Sequence, residues 1–152
     1  MSDTDHVFPV RVQRTAARTV RAYARGQLFE IDSQASLRPA DPSPSAVEYV
    51  LGALGGDLVC GFERAASAQG LTLHAIEVAL NGRLDNILVH LGVVGEQGHP
   101  GLGSIQGTVY VNADGDQQVI EGAWRTTLAH SPLYHTLTRS SSVTINLRII
   151  AS

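Results

Sequence analysis

The sequence predicts a single α+β domain in which antiparallel strands surround one long buried helix. Residues 47–62 are apolar or small at almost every position and carry helical spacing. Several stretches elsewhere alternate apolar and polar side chains with period two, split by short turns. Taken along the chain, these give strand-strand-strand, long helix, strand, strand, helix, strand.

Residues 1–6 read as a disordered tail. Residues 7–14 (VFPVRVQR) alternate, with Val10 and Val12 on one face, and Thr15–Ala17 make a small-residue turn. Residues 18–25 (RTVRAYAR) alternate again, and a turn at Gly26-Gln27 leads into LFEID at 28–32. Residues 33–46, rich in Pro and Ser, form a loop.

The central helix is expected over 45–69. Val47, Val50, Leu51, Leu54, Leu58 and Phe62 fall at i, i+3, i+4 spacing, and the other faces carry Gly52, Ala53, Gly55, Gly56 and Val59. No side is built for water, so the helix reads as buried all round. Each glycine costs roughly 1 kcal/mol of helix propensity, a cost that close backbone approach explains. Ser43 and Ser45 are candidate N-caps, Pro44 suits the entry, and Gly70 supplies the left-handed stop.

Beyond it, LTLHAIEVAL is a strand closed by a turn at Asn81-Gly82. LDNILVHLGVV fits a short helix or a wide strand, and EQGHPGLGS reads as loop. IQGTVYV (105–111) is a strand with Ile105, Val109 and Val111 inward. NADGD is a turn opening a helix over about 115–129, Pro132 breaks or restarts it, and VTINLRII (143–150) is the last strand.

Composition narrows the function classes. The 152 residues suit one domain, and a net charge of −3 gives no sign of a nucleic-acid or membrane partner. All 11 cationic side chains are arginine, which excludes Schiff-base lysine chemistry. The single cysteine allows no intramolecular disulfide and suits a reducing cytosol, and MSDTDHV is unlike a signal peptide, so a cytoplasmic protein is expected. The helical run is too short, and too interrupted by Asp57, to span a membrane.

GLGSIQG (101–107) resembles a dinucleotide fingerprint in the wrong context, before a strand, and reads as a flexible loop. NADGDQQVIEG lacks the glycine and bidentate glutamate of a calcium loop, with Gln117 and Ala123 in their places. His130 and His135 share no helix face and have no cysteine support, so no metal or cofactor is expected. The sharper signal is polar residues on the core helix: Glu48 at its start, Asp57 at its middle and Cys60 beyond. A buried carboxylate needs an arginine or several hydrogen-bond donors, and a structural ion pair is the plainer account of Asp57. Cys60 reads as a small core hydrophobe.

The run AVEYVLGALGGDL, followed later by SPLYHTL, resembles the OsmC/Ohr family (osmotically inducible protein C and organic hydroperoxide resistance proteins). The family pattern is roughly P-x-E-x-L-L-A-A-L-x-x-C on the buried helix and C-P-V-x-x-T-L after the second helix. HPGL at 99–102 matches the turn before a strand, and the element order fits from about residue 7 to 150. The resemblance implies an OsmC-like fold and an intertwined homodimer. It also implies a thiol peroxidase cycle, in which a helix cysteine reduces a hydroperoxide, a second cysteine resolves it, and a glutamate and an arginine activate the first thiol.

Residue by residue, Glu48 matches the family glutamate and Arg18 best matches the arginine, with Arg14 or Arg21 as alternatives. Asp57 holds the first cysteine position and Ser131 the second. Cys60 lies three residues on, about 60° around the helix, beside a carboxylate that disfavours its thiolate. The implied protein is an OsmC-like homodimer without the standard two-cysteine activity. It would hold a small apolar or hydroperoxide-like ligand in a pocket at the dimer interface, lined by Asp57, Arg18 and Glu48, with Asp57 paired to Arg18. Glu48 and Asp57 lie on opposite sides of one helix, so they share a site only if the helix bends or a second subunit contributes. The alternative is an organic hydroperoxide reductase using Cys60 as its only thiol, and a third reading is a structural or regulatory dimer with no ligand.

Overall fold

The computed structural model describes residues 4–16, 19–32 and 43–150. The chain divides into two compact units, Met1–Val50 and Leu51–Ser152. Arg18 and most of the expected 33–46 loop lie outside the described residues.

The first unit holds an antiparallel meander of β1 (Arg11–Ala16), β2 (Thr19–Ala24) and β3 (Gln27–Asp32), in that order. The first strand begins at Arg11 instead of residue 7; Pro9, with no amide donor, sits just before it. It also runs to Ala16, through residues expected to turn. The β2–β3 turn centres on Arg25-Gly26, one residue earlier than expected, both at positive φ (49° and 77°). That backbone twist matches the twist of paired strands, which selects it for two-residue hairpins. Across the pair, Arg21 Nε donates to Glu30 Oε1 at 3.0 Å. The bond and the charge of Glu30 raise Arg21 above the ordinary arginine value, so this alternative for the family arginine is already engaged.

Helix α1 (Ala46–Ala68) starts in the first unit and continues into the second. Its start is tied to β3: Asp32 N–H donates to Pro44 O at 3.0 Å, and the Tyr49 hydroxyl donates to Glu30 O. The Phe29 and Tyr49 rings pack at a tilt of 48°, with centroids 5.3 Å apart.

The second unit continues with β4 (Thr72–Leu84), α2 (Ile87–His90), β5 (Leu102–Asp114), α3 (Gln117–His130), α4 (Pro132–Leu137) and β6 (Ser142–Ile149). Its sheet runs β4-β5-β6. The expected all-antiparallel sheets are corrected here: β4 and β5 pair antiparallel, but β5 and β6 pair parallel. Parallel neighbours need a long crossover, and α3 with α4 provides it. The core joins Leu54, Leu58 and Phe62 of α1 to Ile105, Val109 and Val111 of β5 and to Ile120, Ala123 and Trp124 of α3. The inward register of β5 is as expected, and α1 stops at Gly70 with φ 72°.

Three local expectations change. Asn81-Gly82 is not a turn, because β4 runs through it and pairs Asn81 with Gln106 and Gly82 with Ile105. A Cβ on Gly82 would stand 3.0–3.1 Å from Leu102 and Leu51, so the residue's smallness serves side-chain packing here. For the same reason GLGSIQG is largely strand, not loop. The ambiguous 84–94 stretch contains a short helix, capped by Asn86 accepting from Leu88 and Val89 amides. Finally, α1 is buried on one face only in the single chain. Leu54, Leu58, Phe62, Ala65 and Ala66 face the core, whereas Gly52, Ala53, Gly56 and Cys60 are exposed.

Candidate functional site

The two residues that the resemblance puts at cysteine positions meet. Asp57 and Ser131 are 74 residues apart, and Ser131 Oγ donates to Asp57 Oδ2 over 2.6 Å. The same carboxylate oxygen accepts the Leu133 N–H at 3.3 Å. Ser131 Oγ in turn accepts the Tyr134 N–H at 3.0 Å.

Local sequence explains this geometry. Pro132 cannot extend the α3 hydrogen-bond ladder, so Ser131 closes α3 and caps α4, with proline at the first helical position. The first amides of α4 have no partners within their own helix. Asp57, half-buried on α1, lies beside them and takes one, while the 3%-exposed Ser131 takes another. A carboxylate is favoured at a helix N-terminus, and its hydrogen bonds are short and strong. Among the described residues, hydroxyl and amide donors hold this carboxylate; Arg18, its expected partner, lies outside them. The ion pairs among the described residues are Arg21–Glu30, His74–Asp114 and His99–Asp85.

Glu48 has a different setting. Ser45 N–H and Oγ both donate to Glu48 Oε2, at 2.7 and 2.8 Å, and Glu48 N–H donates back to Ser45 Oγ at 3.3 Å. This reciprocal pattern is a capping box, signalled in the sequence by Ser45-x-x-Glu48. The 2.6 Å bond joins Asp57 to Ser131, not to Glu48. Cys60 is exposed on α1, about 60° around the helix from Asp57.

Asp57 borders a cleft of about 270 Å³ between α1 and α3. From α1, Gly61, Arg64 and Ala68 continue the face that Asp57 begins. From α3 come Thr126, Thr127 and His130, ending at Ser131. The helices approach closely where Gly61 faces Thr127, since a Cβ there would stand 3.1 Å from the threonine methyl. Thr127 Oγ1 donates to Ala123 O at 2.8 Å, and His130 Nδ1 to Thr126 O at 2.8 Å. Sequence reasoning missed Arg64 and His130. The signal was available: Gly61, Arg64 and Ala68 follow Asp57 at i+4, i+7 and i+11, and His130 adjoins Ser131.

A double-mutant cycle on Asp57→Ala and Ser131→Ala should give a coupling energy of about 1–2 kcal/mol by denaturant unfolding, the worth of a hydrogen bond to a charged group. Additive losses would mean that the two side chains do not interact.

The OsmC-like protein family model matches residues 39–146. No curated protein sequence matches this one. Among solved structures, the OsmC-like protein of Mycoplasma pneumoniae superposes with TM-score 0.80 at 13% identity, covering 97% of this chain and 99% of that one. An OsmC-like protein of unknown function from Vibrio cholerae gives 0.75 at 12%, covering 96% and 100%. The organic hydroperoxide resistance protein OhrB of Bacillus subtilis gives 0.61 at 13%, covering 94% and 98%. The family match spans most of the described chain, including the helix that bears Asp57 and the segment that bears Ser131: the chain belongs to the OsmC-like protein family.

Proposed function

We propose that this is a homodimeric OsmC-like protein that does not run the two-cysteine hydroperoxide cycle and that binds a small molecule in the cleft beside Asp57 and Ser131. The 2.6 Å Ser131–Asp57 hydrogen bond carries this reading. If the resemblance holds residue by residue, a carboxylate and a hydroxyl, already bonded to each other, take the positions of the two sulfurs. A carboxylate cannot become a sulfenic acid, and a serine cannot close a disulfide. Ser131 is also a poor nucleophile: its hydroxyl is buried and committed both to Asp57 and to the Tyr134 amide. On this reading the polar groups of the cleft are Asp57, Arg64, His130 and Ser131.

Two features support the dimer. The outer face of α1, the longest described helix, exposes Gly52, Ala53, Gly56 and Cys60, all small side chains. Val7, Phe8, Val10 and Val12, at and before β1, are more than half exposed. Apolar surface of this kind marks association. Light scattering should give twice the 16.2 kDa chain mass, and a stable monomer at micromolar concentration would remove the dimer.

With dithiothreitol as reductant, wild type and Cys60→Ser should consume cumene hydroperoxide no faster than the reductant alone. The Asp57→Cys/Ser131→Cys variant is the positive control. Fast wild-type turnover that disappears in Cys60→Ser would replace this reading with a one-cysteine peroxidase.

A further inference from the structure

Asp57 uses a single oxygen, Oδ2, for both of its hydrogen bonds. Among the described residues, its Oδ1 has no partner. Arg64, two turns along the same face of α1, likewise makes no hydrogen bond or ion pair among the described residues. Its guanidinium folds back over the glycine between them: a Cβ on Gly61 would stand 3.9 Å from Arg64 Nη2. Gly61 lies one turn, roughly 6 Å of helix rise, beyond Asp57, and the guanidinium and the carboxylate form no ion pair. The cleft therefore presents two opposite charges that do not meet, with only glycine between them and alanine and threonine methyls beside them.

A neutral guest would leave both charges unanswered, and a simple anion would satisfy Arg64 while facing Asp57. A guest with one charge of each sign answers both. Resting on the small-molecule reading above, we infer that the cleft binds an aliphatic α-amino acid as its zwitterion. The ammonium donates to Asp57 Oδ1, the carboxylate accepts from the Arg64 guanidinium, and the side chain lies against Ala68 and the Thr126 methyl. An ammonium and a carboxylate one carbon apart give each of the two charges its own partner, with hydrogen bonds of about 2.8 Å. Ser131 and the Leu133 amide occupy Oδ2, which leaves Oδ1 to accept from the guest. A cleft of about 270 Å³ accommodates a side chain of leucine size.

Isothermal titration of the full chain with L-leucine, L-leucinamide and 4-methylpentanoate tests this. Leucine should bind saturably, and each analogue, lacking one charge, should bind about ten-fold or more weakly. Arg64→Gln, on an exposed side chain, should abolish the preference for leucine over leucinamide. No saturable leucine binding, or equal binding of all three compounds, overturns the inference. The pocket reading fails separately, if a fragment screen by NMR perturbs none of the Gly61, Thr126 and His130 amide signals. Perturbation of those signals by fragments without a leucine preference would keep the pocket and reject the amino acid.

Discussion

The hydrogen bond from Ser131 to Asp57 joins the middle of α1 to the break between α3 and α4, and the arrangement of the cleft follows from it. Without the carboxylate, the Leu133 amide would lose its acceptor. Without the hydroxyl, Asp57 would lose its shortest partner and α4 its cap. The bond therefore does noncovalently what the family resemblance assigns to a pair of sulfurs: it holds two distant segments at one point. What it cannot do is exchange electrons. On the proposed reading, the replacement that keeps the segments together also takes away the redox step.

Much of the fold was legible because its signals are local. The α1 pattern, the Gly70 stop, the hairpin meander and the inward side of β5 each rest on spacing within a few residues. The failures came where tertiary contacts override local preference. Asn81-Gly82 has the strongest hairpin signal in the chain, yet β5 supplies ladder partners past it, and Leu51 and Leu102 pack over the glycine. Sequence order also left the direction of β6 unspecified, although a strand-helix-strand passage favours the parallel pairing observed.

The site was legible in part for a similar reason. The resemblance pointed to residues 57 and 131, and the structure brings those two together. It could not say how Asp57 is satisfied, because the answer is the start of a helix 76 residues away. Arginine was the natural partner to expect for a buried carboxylate, and Arg18 lies outside the described residues; Asp57 is half-buried and takes a hydroxyl and an amide. Glu48 illustrates the converse. Its position matched a family role, and its local pattern with Ser45 also spelled out a cap, which is the geometry it adopts.

The account stands on positions 57 and 131 facing each other as the family's redox pair would. A direct measurement is disulfide closure in Asp57→Cys/Ser131→Cys/Cys60→Ser, folded and treated with diamide. The account predicts one intramolecular disulfide: an intact mass lower by two hydrogens, no maleimide-reactive thiol, and a tryptic link between the peptides holding 57 and 131. Two thiols that stay free in the folded protein, or that cross-link only between chains, would contradict it.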